Sequence, residues 1–186
     1  MILDKMDKEG FVFLKYKMPD YVMEEIRAFD ALNVPCHADQ DPGMGGTTWE
    51  PPIEDYIPQT SQFFKDLLSD LGLHRGYLHI DLEKIKTNDY HFLHTHFTPA
   101  YYQLCAWFPL GPFEGRDFIY GKENDLKYFK PAAGDLVFFK PNDPTWLHGT
   151  TPLKSGSNVY SVGITCSPTL TRYIAQDRIL KPDVIS

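Results

Sequence analysis

From residue 77 to residue 166 the chain is built of short runs that alternate apolar and polar positions, and a turn signal closes each run. Tyr77-Leu78-His79-Ile80-Asp81-Leu82-Glu83-Lys84-Ile85 sets the pattern. Further runs follow at 89–97, 100–108, 115–120, 126–130, 135–140, 145–149 and 158–166. Between them lie Thr98-Pro99, Gly111-Pro112, Gly121, Pro131-Ala132-Ala133-Gly134, Pro141-Asn142-Asp143-Pro144 and Ser155-Gly156. A period of two places alternate side chains on opposite faces of a strand. Many short strands of this kind predict an antiparallel sandwich or jelly roll.

The segment before residue 74 has a different texture. Residues 10–16 read as a strand, and Pro19-Asp20 opens a helix with Tyr21, Val22, Ile26, Phe29 and Leu32 near helical spacing. A second helix is expected over 59–72, where Phe63, Phe64, Leu67, Leu68 and Leu71 form the apolar stripe and Gly72 ends it. Residues 33–55 show no clear element, and a stretch this long in a compact domain is read as a lid. A last short helix is expected over 168–178. The outcome is one domain, 1–186, mainly β with flanking helices. It comprises an N-terminal strand and helices (1–73), a jelly-roll core (74–166), and a C-terminal helix and tail (167–186).

The net charge of −7 disfavours nucleic acid and anionic membrane as partners. Cys36, Cys105 and Cys166 are odd in number and widely spaced, so no disulfide framework is expected. No run approaches the roughly 18 apolar residues of a membrane span. The start of the chain is charged and lacks a signal core. A cytoplasmic location is the expectation.

Within the jelly-roll region, His94 and His96 stand at i and i+2 on one predicted strand, so both imidazoles share a face. His148, after the strand Asp135–Lys140 and a tight turn, is the natural third ligand. Three neutral imidazoles bind a first-row transition metal. Alternation turns His91 away from His94, which makes it structural or surface. His37, His74 and His79 have no partner at ligand spacing.

Several motifs in one order carry a resemblance. Asn88-Asp89-Tyr90 leads into His94-Thr95-His96. Phe113-Glu114-Gly115-Arg116-Asp117-Phe118-Ile119-Tyr120 follows. Then come Pro131-Ala132-Ala133-Gly134-Asp135-Leu136-Val137-Phe138-Phe139 and His148-Gly149-Thr150-Thr151-Pro152-Leu153-Lys154-Ser155-Gly156. Region 85–166 resembles the catalytic core of the iron- and 2-oxoglutarate-dependent oxygenases, in their prolyl-hydroxylase-like branch. The resemblance implies a double-stranded β-helix, the cupin-like jelly roll. It also implies Fe(II) on His94, His96 and His148, 2-oxoglutarate as cosubstrate, O2, and hydroxylation of a small-molecule or peptide substrate.

Two departures from the family pattern stand out. His96 occupies the place of the usual Asp, leaving the metal site one unit more positive. Asn158 stands where an Arg usually clamps the far carboxylate of 2-oxoglutarate. Asn158 and Tyr160 offer hydrogen bonds there, while Arg116, Lys154, Lys140 and Lys127 offer charge; Arg116 is ranked first among them. Phe92, Tyr101, Gln103 and above all Tyr102, Trp107 and Tyr120 are the candidates for lining the pocket. Should His96 not be a ligand, Asp117 is the nearest carboxylate to test. The alternatives are a three-His dioxygenase that does not use 2-oxoglutarate, a three-His zinc hydrolase or lyase, and a non-catalytic jelly-roll binding module.

Overall fold

A computed structural model describes residues 2–32, 34, 38–39, 47–49, 53–97, 99–156, 159–168 and 175–180. Helix α1 (Ile2–Glu9), strand β1 (Phe11–Lys15) and helix α2 (Asp20–Leu32) come first. The short strands β2 (Ala38–Asp39) and β3 (Thr47–Trp49) precede a 3-10 turn at Ile53–Asp55 and helix α3 (Pro58–Asp70). The strand-rich part then begins with β4 (Tyr77–Ile85), β5 (His91–Phe97) and β6 (Tyr102–Pro109). It continues with β7 (Phe113–Gly115), β8 (Phe118–Lys122), β9 (Asp125–Phe129) and β10 (Asp135–Phe139). It closes with β11 (Leu147–Thr150), β12 (Leu153–Gly156), β13 (Val159–Ser167) and β14 (Ala175–Leu180).

The strands form a seven-stranded sheet in the order β1-β10-β6-β13-β4-β3-β2 and a five-stranded sheet in the order β14-β5-β11-β8-β9. A β12-β7 pair forms a separate two-stranded sheet. Every recorded pairing is antiparallel. This is the jelly-roll architecture that the alternating runs predict.

The alternation sorts the side chains of the large sheet. On β6, Tyr102, Leu104, Ala106 and Phe108 join the core beneath the helices, while Gln103, Cys105 and Trp107 line a cavity on the other face. On β13, Tyr160, Val162, Ile164 and Cys166 face the helices, and Ser161 faces the cavity. Val22, Ile26 and Phe29 of α2 and Phe63, Phe64, Leu67 and Leu68 of α3 complete the helix-side core. Fully burying one such side chain contributes about 1.5–3 kcal/mol, so this layer holds the large sheet in place. Between the sheets lies a second, aromatic core of Phe11, Trp107, Phe118, Val137 and Phe139. There Phe11 and Phe139 stack at 5.4 Å.

Polar contacts fix the helix layer to the sheet. Glu25 of α2 accepts hydrogen bonds from the Gln59 and Thr60 amides at the start of α3, at 3.0 and 2.6 Å. This satisfies donors that a helix leaves open at its N-terminus. Asp30 at the end of α2 accepts from Lys84 of β4 and from the Tyr160 hydroxyl of β13, both at 2.6 Å. Burial pushes the Asp30 carboxyl up, but the bonds from Lys84 and Tyr160 outweigh it and hold the carboxyl below its usual range.

Several elements differ from the sequence expectation. Helix α1 was not expected; its eight residues are too few to show a period, and only Met6 is buried. Ala175–Leu180 is a strand where a helix over 168–178 is expected, and residues 169–174 and 181–186 lie outside the described residues. The open edge of β5 supplies backbone partners that an isolated helix would not have, so tertiary pairing overrides local preference. Leu153–Gly156 is also a strand, although Ser155-Gly156 within it reads as a turn signal. Within the expected lid, β2 and β3 pair with each other, and β3 pairs with β4. Residues 33, 35–37, 40–46 and 50–52 lie outside the described residues. No helix among the described residues is long and apolar enough to cross a membrane.

Tyr160→Phe is expected to lower stability by about 1 kcal/mol through the lost bond to Asp30, read as a shifted denaturation midpoint at unchanged slope.

Candidate metal centre

Antiparallel pairing of β11 with β5 sets His148 opposite His94. His96, two residues along β5, points to the same side. The three rings converge, with Nε2 of His96 lying 2.8 Å from Nε2 of His94 and 3.2 Å from Nε2 of His148. All three ligand atoms fall within 4.8 Å of one another. Two nitrogens bound to one metal at about 2.1 Å and a right angle are about 3.0 Å apart. The spacing of these two pairs therefore suits donors to a single ion, which His94, His96 and His148 would hold between them.

The protonation pattern supports the same arrangement. The Phe92 carbonyl accepts a hydrogen bond from Nδ1 of His94 at 2.6 Å, which leaves the Nε2 lone pair bare. Burial pushes the His94 pKa down to about 4, and nearby His91 adds to the shift. Burial likewise holds His96 and His148 well below the usual histidine range. At neutral pH these imidazoles are therefore uncharged. In the metal-free protein a neutral His96 can donate from Nε2 to the bare Nε2 of His94, and a metal ion among the three nitrogens would take the place of that bond.

The β5–β11 pairing contains an irregularity. A step of two residues along β11, from His148 to Thr150, matches a step of three along β5, from His94 to His91. A bulge of this kind shifts the phase of alternation. His91 thereby comes to the cavity side with His94, although strict alternation turns it away. Gly149 makes the close approach possible. A Cβ there would lie 2.7 Å from the Phe92 carbonyl oxygen and 2.9 Å from that of His91.

The cavity runs from the histidines toward a buried ion pair. Gly115 and Arg116 both have positive φ, at 81° and 57°. For Arg this is a strained conformation. The Arg116 amide bonds to Pro152 O, and a Cβ on Gly115 would lie 2.3 Å from that same oxygen. The turn swings the Arg116 side chain inward until it is 2% exposed. There it donates to the Glu83 carboxylate at 3.3 and 3.5 Å and to the Asp89 carbonyl at 3.2 Å. Burial depresses the Arg116 pKa, and the Glu83 and Asp89 carboxylates counteract this.

Of the residues singled out from sequence, His94, His96, His148, Arg116, Trp107 and Gln103 line this cavity. Gln103 Oε1 is buried there without a hydrogen-bond partner. Tyr102 and Tyr160 do not line it. Both point into the helix-side core, where the Tyr102 hydroxyl bonds to the Leu73 carbonyl and Tyr160 to Asp30. Their parity on β6 and β13 decides this, because Tyr102 and Trp107 are an odd number of residues apart. Tyr120 faces Phe11 and Phe13 in a separate cleft. Asn158 lies outside the described residues. Tyr101 is exposed. Lys127 and Lys140 pair with Asp125 and Asp7, and neither they nor Lys154 reach the cavity. Asp117 is not part of the histidine cluster.

Glu83, His91 and Cys105 also line the cavity and were not anticipated there. Glu83 was accessible to sequence reasoning. Once Ile80 and Leu82 are assigned to the helix side, His79, Asp81 and Glu83 must share the opposite face.

No protein-family model matches the sequence, and no curated protein does. Solved structures match in fold. A Pseudomonas putida prolyl-4-hydroxylase superposes with a TM-score of 0.67 at 14% identity, over 89% of this chain and 97% of its own. A Trichoplax adhaerens prolyl hydroxylase, in complex with a hypoxia inducible factor peptide fragment, gives 0.64 at 11%, over 89% and 87%. The viral collagen prolyl hydroxylase of Paramecium Bursaria Chlorella virus-1, in complex with 2OG, gives 0.59 at 15%, over 86% and 98%. The chain therefore has the double-stranded β-helix fold of the prolyl hydroxylases, as the resemblance implies.

Two outcomes follow from the buried histidines. Unfolding restores the ordinary histidine pKa of 6.5, so below it the unfolded chain binds protons that the metal-free folded protein refuses. Thermal stability of the metal-free protein is expected to be highest above pH 6.5 and to fall as pH drops toward 4. Gly149→Ala presses on the Phe92 carbonyl that orients His94. Metal affinity should drop about 10–100-fold, measured by competition with a chromogenic chelator.

Proposed function

We propose that this protein is a non-haem Fe(II)-dependent oxygenase that hydroxylates a C–H bond with 2-oxoglutarate as cosubstrate. The observation that carries the reading is the convergence of three uncharged, buried imidazole nitrogens in the interior of a prolyl-hydroxylase fold. His94, His96 and His148 hold the iron. Together, iron and 2-oxoglutarate supply the activation of O2, with succinate and CO2 formed as the substrate is hydroxylated.

The chain's own residues bind, orient and keep out water. The Phe92 carbonyl fixes the His94 tautomer, and Phe139, 4.5 Å from the His148 ring, shields the metal's flank. Arg116 is the cation within the cavity that meets the far carboxylate of the cosubstrate. Trp107 and Phe118 supply the apolar wall, and the Gln103 amide supplies a polar contact. The cavity, about 90 Å3, favours a small molecule or a single side chain of a peptide as substrate. The Trichoplax relative's peptide complex is consistent with the second of these. A three-His dioxygenase that does not use 2-oxoglutarate is the second reading. It is favoured by one observation, that Glu83 already neutralises Arg116.

Anaerobic protein loaded with Fe(II) is expected to develop a metal-to-ligand charge-transfer band on titration with 2-oxoglutarate, and to form succinate once O2 is admitted. Iron binding without the band would move the assignment to the second reading. Replacing His94, His96 or His148 singly with Ala is expected to abolish iron binding. Unchanged affinity in His96→Ala alone would remove His96 from the ligand set.

A further inference from the structure

The far end of the cavity is closed by a ring of side chains that satisfy one another. Arg116 donates from one nitrogen to both Glu83 oxygens and, at 3.2 Å, to Nδ1 of His91. A guanidinium only donates, so Nδ1 accepts and the proton of neutral His91 sits on Nε2. Nε2 lies 3.3 Å from Glu83 Oε1, which completes the ring. The Ser161 hydroxyl adds a bond to Glu83 Oε2 at 2.9 Å. One guanidinium and one carboxylate leave this buried end of the cavity without net charge. A ligand carboxylate that reached Arg116 would place two negative charges around one positive one, away from water, which is unfavourable.

Resting on the function proposed above, we infer that Glu83 sets the affinity for 2-oxoglutarate: it neutralises Arg116 in the free protein and takes up one proton from solvent when the ligand's far carboxylate pairs with Arg116. The protonated Glu83 is neutral, so the end of the cavity keeps its zero charge with the ligand bound. His91 Nδ1 faces an Arg116 N–H at 3.2 Å, so a proton there would set two cations against each other, and Glu83 is left as the acceptor. His91 comes from β5, Arg116 from the β7–β8 turn, Ser161 from β13, and Cys105 and Trp107 from β6. On its own strand, Lys84 is turned to the opposite side and engaged by Asp30, while Asp81 lies over Gly163 on the same face and adds negative charge. A second nearby carboxylate favours protonation of the first.

The test is calorimetric titration of the Ni(II)-loaded protein with 2-oxoglutarate, in buffers of different ionisation enthalpy. The wild type should take up close to one proton, and its affinity should weaken by up to tenfold per unit rise in pH. 2-Oxobutyrate lacks the far carboxylate and should bind without proton uptake. Glu83→Gln should lose the uptake and bind 2-oxoglutarate at least tenfold more tightly at pH 8. Binding of 2-oxoglutarate without proton uptake, or equal uptake with 2-oxobutyrate, overturns the role of Glu83 and leaves the oxygenase reading standing. Binding of neither acid overturns both. His91→Asn should retain the uptake, and its loss in that variant overturns the role of Glu83 even if Glu83→Gln does not fold.

Discussion

One cross-strand register carries the cavity: His148 of β11 opposite His94 of β5. A one-residue slip would send His148 to the outer face of its sheet, and no metal site would remain. The register is held from both sides, because β5 lies between β11 and β14, and β11 lies between β5 and β8. Leu93, Ile119 and Leu147 pack together on the outward side of these same strands, so the alternation that buries them also turns the histidines inward. The chemistry of the site is thus a by-product of ordinary strand packing.

The charge balance follows from the same placement. Three imidazoles and no carboxylate leave a divalent ion at this centre with its full charge. At the other end, Arg116 arrives already matched by Glu83. With a divalent ion held there, the cavity would be electropositive at the histidines and balanced at the Arg116–Glu83 wall. An anionic donor group is drawn to one end while the other end contributes directional hydrogen bonds. Cys105 sits between them, and burial followed by the Asp81 and Glu83 charges raises its thiol far above the usual range. It is an inert part of the wall rather than a nucleophile.

Much of this was legible in the amino-acid order. The alternating runs located the strands from Tyr77 onward, and the helical spacing located α2 and α3. The histidine trio was readable because period two puts His94 and His96 together and a turn returns His148. What escaped had physical causes. The phase shift at His91 is a property of the β5–β11 pair and leaves no trace in either strand alone. Tyr102 is expected in the pocket and Tyr160 beside the cosubstrate on chemical type, but parity with Trp107 and Ser161 assigns both to the helix side. Arg116 was expected to supply a charge; its burial and its partner Glu83 depend on a left-handed Gly115-Arg116 turn that only the folded chain reveals.

The ligand set is divided between two strands more than fifty residues apart in sequence, with two histidines on β5 and one on β11. An ion bound there acts as a staple across the five-stranded sheet, closing a long loop much as a covalent bridge would. Because it binds the folded chain, the ion's chemical potential enters the folding equilibrium directly. Should the histidines hold a metal, the same protein would be a tighter object in a metal-replete setting and a looser one in a depleted setting. Its lifetime against proteolysis would track metal supply before any catalytic turnover takes place.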